Sequence, residues 1–133
     1  MSKRLGSEET GAALVEFALI GSLFLLLINL VIQGMFVFNT WLVVTEAAAD
    51  GARYGAPCYN RPVSPCSSTA VTTFVVDDAP TLQSSKLSVS VTAQSKTLTV
   101  SASYPVSVYA PLFSVVIPNP LTVTGSASMS TEN

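Results

Sequence analysis

The sequence predicts an α+β protein: a long N-terminal membrane-spanning helix, then a small head with a short helix and an antiparallel sheet of about three or four strands. Three observations carry this prediction. No Asp, Glu, Lys or Arg occurs between Glu16 and Glu46, where Leu, Ile, Val, Phe, Ala, Met and Trp fill most positions. In the last third, apolar residues alternate with serine and threonine at period two, the pattern of strands with one buried face. Between these stretches, Val71, Phe74, Val75, Ala79 and Leu82 recur at helical spacing.

About 20 apolar residues at a rise of 1.5 Å cross the roughly 30 Å hydrocarbon layer of a bilayer. Residues 12–44 as one helix would reach about 50 Å, so the run overshoots the membrane. The surplus is graded. Residues 17–28 are nearly pure hydrocarbon, interrupted only by Gly21 and Ser22, whereas Asn29, Gln33, Asn39 and Thr40 then recur among apolar residues. Such a helix has its first half in lipid and its second half packed on protein. A soluble core helix, the competing reading, would show a polar stripe from its start. Residues 1–10 are polar and ill suited to structure. The apolar run far exceeds the roughly 7–15 residues of a secretory signal, so it is expected to stay as an anchor.

Glu16 is the anomaly in this run, because a carboxylate inside an apolar span costs several kcal/mol unless it finds an interface or a cation. Two readings stand. In one, the side chain snorkels to the headgroup layer. In the other, the chain is cut after Gly11, and the α-amine of the new terminus at Ala12 is cationic at neutral pH. First and fifth residues share a helix face, so that amine, or a neighbouring copy's, would neutralise Glu16.

The leader 1–11 with Lys3 and Arg4, followed by Ala12-Ala13-Leu14-Val15-Glu16-Phe17 and the apolar run, resembles a type IV prepilin signal. More closely, Gly11-Ala12-Ala13-Leu14-Val15-Glu16-Phe17-Ala18-Leu19, with Glu46-Ala47-Ala48-Ala49-Asp50-Gly51-Ala52-Arg53-Tyr54 further on, is similar to the TadE-like minor pilins, or pseudopilins, of the tight-adherence (Flp) type IV pilus system. The resemblance covers residues 11–54 and is looser beyond. It implies a structural protein cut by a prepilin peptidase between Gly11 and Ala12. Ala12, Glu16 and Phe17 would dock it among other major and minor pilins at an inner-membrane assembly platform. Major pilins of that system are much shorter and usually carry tyrosine after the glutamate, so Phe17 and the sizeable head point to the minor class. The family often has proline near Gly21-Ser22, where this sequence has none. There the choice lies between local unwinding and a small residue that lets helices pack closely.

The resulting division is a leader at 1–11, a transmembrane and assembly helix at 12–55, and an extracytoplasmic head at 56–133. In the helix beyond Thr40, Asp50 and Arg53 sit three apart and can pair. Gly51 is an early stop candidate; Gly55 followed by Pro57 is the better one, glycine as left-handed cap and proline as terminator. The lysine and arginine of the leader place the N-terminus in the cytoplasm and the head where disulfides persist. A Cys58–Cys66 bridge closing a short loop with Pro62 and Pro65 is then the main reading and free thiols the other; a metal site would need ligands the loop lacks. Ser67 or Ser68 can cap the short helix, although Val71-Thr72-Thr73 also suits a strand. Asp77-Asp78 reads as a solvated turn.

Leu87, Val89, Val91 and Ala93 form one alternating run, and after Gln94-Ser95-Lys96 it resumes through Leu98, Val100, Ala102 and Tyr104, a hairpin. Leu121, Val123, Gly125, Ala127 and Met129 supply a further strand. Residues 106–117, including Tyr109, Leu112 and Phe113, are apolar without alternation and either pack under the sheet or present a patch to another subunit.

Composition excludes several function classes. A formal net charge of −2 gives no basic footprint for nucleic acid. The chain has no histidine, its carboxylates and serines form no constellation with a base, and no Gly-rich loop precedes a helix. No catalytic, cofactor-binding or metal-binding residue is therefore assigned. Beside the pilin stands a second reading from another class: a single-pass membrane protein, never cleaved, that tethers its head as an extracytoplasmic binding module.

Overall fold

In the computed structural model, residues 5–59, 66–94, 96–109 and 119–131 are described. The prolines Pro62 and Pro65 and residues 110–118, which include most of the apolar stretch 106–117, fall outside the described residues, as do residues 1–4. The chain divides into two compact units, Met1–Met35 and Phe36–Asn133. The element order is helix α1 (Leu5–Tyr59), helix α2 (Ser68–Asp78), then strands β1 (Ser88–Gln94), β2 (Thr97–Val106) and β3 (Leu121–Ser130). The predicted architecture is thus the observed one, with three strands among the described residues.

Helix α1 is longer than expected at both ends. Upstream it already includes Leu5–Thr10, a segment whose polarity argued against structure. Once the apolar turns exist, each residue added to a helix gains a hydrogen bond without the nucleation cost, which carries the helix outward. Downstream it passes Gly55 and continues through Pro57 to Tyr59. The expected left-handed glycine cap is absent: no described glycine has positive φ. Gly55 serves close approach instead, because a Cβ there would stand 2.5 Å from Leu98 Cδ2 and 3.0 Å from Val71 Cγ2. Pro57 removes the amide that would bond to the Arg53 carbonyl and its ring crowds that carbonyl, a cost of about 3 kcal/mol that buried Ala56 and half-buried Tyr59 help offset by holding the turn on the core.

The sheet follows from the alternation. Its order is β1-β2-β3, all antiparallel, and its register sets apolar opposite apolar: Val89, Val91 and Ala93 pair with Ala102, Val100 and Leu98. Leu98, Val100, Ala102 and Tyr104 pair in turn with Met129, Ala127, Gly125 and Val123. A slip by one residue would turn this whole set to solvent, so burial fixes the register. Ala93 is exposed despite its place in the pattern, since it lies at the hairpin end of the outer strand. The opposite face carries serine and threonine, with Thr99 Oγ1 and Ser128 Oγ hydrogen-bonded at 2.9 Å.

The core joins Val44, Ala47, Ala48 and Ala52 of α1 to Val71 and Val75 of α2 and to Leu98, Val100 and Ala102 of β2. Fully burying a valine or leucine contributes about 1.5–3 kcal/mol, so these few side chains dominate the head's stability. Small residues on α1 let backbones meet. A Cβ on Gly125 would fall 2.6 Å from Thr45 Cα, and one on Gly51 would collide with Val75 Cγ2. Thr45 thus lies over Gly125, the strand partner of Ala102, Gly51 beside Val100 and Gly55 beside Leu98. Helix α1 therefore runs along β2 in the opposite sense, about 15 Å of helix against about 13 Å of strand.

Helix α2 starts where a hydroxyl allows it. Ser67, with φ −75° and ψ 151°, accepts a hydrogen bond at its Oγ from the Ala70 amide at 3.2 Å. The β-branched Val71-Thr72-Thr73 run is helical because Val71 and Val75 both reach the core. Phe74 stacks on Tyr54 with centroids 4.5 Å apart. Asp77 and Asp78 are exposed, as expected, but they close α2 instead of forming a separate turn.

Candidate assembly site on the N-terminal helix

Most residues of 11–35 in α1 are large and apolar. Leu14, Val15, Phe17, Leu19, Ile20, Leu23, Phe24 and Leu25 are all exposed, Phe17 by 75%, whereas Val44 in the head is fully buried. Apolar surface of this extent marks contact with lipid or with other chains. The helix is long and apolar enough to cross a membrane.

Gly11 and Ala12, the expected cleavage pair, both lie within α1 and both are exposed. A Cβ on Gly11 would meet nothing within 4 Å, so no packing requires glycine there. Ala12 and Glu16 sit four residues apart on one helix face, and Phe17 adjoins them. Glu16 is exposed and has no hydrogen-bond or ion-pair partner among the described residues. In the intact chain the Ala12 nitrogen is a peptide amide and carries no charge.

Gly21 and Ser22, the suspected weak point, leave the helix unbroken. Ser22 Oγ donates to the Leu19 carbonyl at 2.9 Å, so its hydroxyl is satisfied within the helix. Asp50 and Arg53 form the expected pair at 3.0 Å on the outer side of the head.

Residues 11–53 of this helix match the profile of a family described as TadE-like protein. The match makes this segment, about a third of the chain, similar to TadE-like proteins. No curated protein and no solved structure matches the chain. The matched segment takes in the exposed apolar half of α1 and ends inside the half that packs on the head.

Beyond the TadE-like segment, Cys58 and Cys66 form a disulfide with Cα atoms 5.4 Å apart, which decides between bridge and free thiols. The bridge ties the last turn of α1 to the residue before the Ser67 cap, and the Cys66 amide donates to the Cys58 carbonyl at 3.2 Å. Closing so short a loop in the unfolded chain contributes about 2.5 kcal/mol in the chain-entropy account. On the far side of the head, Asn119 clamps Val108 by two hydrogen bonds, Nδ2 to the Val108 carbonyl at 3.1 Å and the Val108 amide to Oδ1 at 3.3 Å. Sequence reasoning missed this clamp, for which asparagine between two prolines was the only signal. Of the apolar stretch 106–117, Val106 packs against the core and Tyr109 is exposed, while residues 110–117 fall outside the described ones.

Proposed function

We propose that the chain is a minor pilin, or pseudopilin, cut by a prepilin peptidase between Gly11 and Ala12 and needed to assemble a Flp-type pilus. The observation that carries this is the TadE-like match, which begins at Gly11 itself and runs through an uncovered apolar helix. The N-terminus stays in the cytoplasm and the head outside the inner membrane, with the pilus or cell surface as destination after assembly. After cleavage the Ala12 amine, its own or a neighbour's, neutralises Glu16. An unpaired carboxylate in lipid costs several kcal/mol, so docking is favourable only where that cation is supplied. Phe17 and the apolar side chains that follow pack between the helices of other pilins and the platform.

The test is processing in cells that contain the peptidase. Wild-type protein should begin at Ala12 by N-terminal sequencing. Gly11→Arg should accumulate as a slower-migrating membrane precursor, because a bulky cation replaces the one residue type that leaves the scissile bond open. Glu16→Ala should be cut yet assemble poorly. A native chain that keeps Met1 or Ser2 favours instead the tethered binding module.

A further inference from the structure

Four residues of upstream α1 share one side. At about 100° per residue, Ala18, Ser22, Asn29 and Gln33 lie within about 60° of one another round the axis and span about 22 Å along it. All are in helix, three exposed and Gln33 half exposed. Ser22 already satisfies its hydroxyl on Leu19. The carboxamides of Asn29 and Gln33 make no hydrogen bond among the described residues. Each carboxamide carries two donors and an acceptor, and in hydrocarbon every unsatisfied polar group costs several kcal/mol. Lipid tails offer no partner, so these amides need another chain.

We propose that this stripe is a self-association face, and that a second copy of this chain occupies it within the bilayer before any assembly of a fibre. A carboxamide is its own complement, donor and acceptor in one group, so two copies set stripe to stripe satisfy both members of each pair. Ala18 and Ser22, four apart and small, let the backbones approach closely. No charge opposes the contact, because residues 17–45 contain none and Glu16 lies about 140° round the helix from Asn29. The inference uses the membrane-spanning reading of α1. It is independent of cleavage and of Glu16, which faces elsewhere.

Full-length protein, labelled in two dye pools and reconstituted in phosphatidylcholine vesicles, tests it by energy transfer at falling protein-to-lipid ratio. Wild type should show transfer above random proximity, and the Asn29→Leu/Gln33→Leu double variant should need about 10-fold more protein per lipid to reach it. Leucine raises apolarity, so the variant still inserts. Asn29→Gln, which keeps a carboxamide, should retain wild-type association. With both native cysteines bridged, an introduced thiol is the reporter of orientation. Ser22→Cys should cross-link between copies, and Val31→Cys, about 180° round, should not. Wild type that never exceeds random proximity overturns the proposal. So do transfer indifferent to the double variant, equal cross-linking at both positions, and association that appears only when a different pilin is added. None of these results bears on whether Gly11 is cut, and an uncut chain should self-associate equally well.

Discussion

One helix carries two kinds of surface, and comparing them explains most of what this chain is built to do. From Leu14 to Ile32, α1 presents leucine, isoleucine and phenylalanine, all exposed. From Val44 to Ala56 its inner face is valine, alanine and glycine, and the valine and alanines are buried. Size follows the partner. Where the helix meets the backbone of its own sheet, side chains must be small for the two to approach, as Gly125 beneath Thr45 requires. Upstream, where no described residue covers the helix, large residues present more apolar area per turn. The lesson is that apolar residues alone do not identify a core: the small ones here are inside and the large ones outside.

The same substitution made in both regions should break the symmetry most. Leu98→Ala removes a fully buried side chain from the middle of β2 and should cost the head about 4 kcal/mol. Leu23→Ala should leave the head's denaturation midpoint unchanged. Urea titration of the detergent-solubilised full chain, read on head fluorescence, compares them directly. Equal losses would mean that the upstream helix is part of the core after all.

Glycines give the next largest contrast. Gly125→Val places new atoms against the Thr45 backbone, which cannot rotate away, for an expected loss of about 3 kcal/mol. Gly21→Val meets nothing within 4 Å and should be silent in the same titration. If Gly125→Val is tolerated, α1 and β3 are not held at backbone distance.

Much of this was legible in the residues. Period-two alternation set both hairpin strands and their facing, because a half-buried strand leaves no other arrangement of Leu98, Val100 and Ala102. The uncharged run gave α1, and the seryl cap gave α2. What misled was glycine. At Gly55 the local signal, glycine before proline, reads as a stop, while the fold uses the missing Cβ for contact with Leu98 and Val71. Local sequence cannot separate these uses, since the second depends on a strand some forty residues later in the chain. The candidate site was legible as a list and not as a geometry. Ala12 and Glu16 were related by their spacing, and Gly11 and Phe17 were given their roles by the resemblance, yet the side shared by Asn29 and Gln33 appears only when positions are counted round the axis.

Serines sharpen the contrast at lower energy. Ser67→Ala removes the oxygen that accepts the Ala70 amide and should cost about 1 kcal/mol. Ser22→Ala removes a hydroxyl that only bonds back to its own helix and should leave the head unaffected. Thermal unfolding of the two variants side by side tests the pair.

The smallest effect belongs to the face of α1 that points away from the core of the head. Asp50 and Arg53 pair at 3.0 Å with side chains 43% and 68% exposed, so water screens the attraction and ordering two side chains offsets much of it. Asp50→Ala should cost about 0.3 kcal/mol, a difference that 1 M salt should erase. The same change also removes an exposed carboxylate from the segment that matches the TadE-like family, next to Gly51, whose neighbours are buried. A loss well above 1 kcal/mol that persists in salt would show that Asp50 acts through the helix backbone near Gly51 and not through Arg53. The outer face of α1 would then be as tightly specified as its inner one.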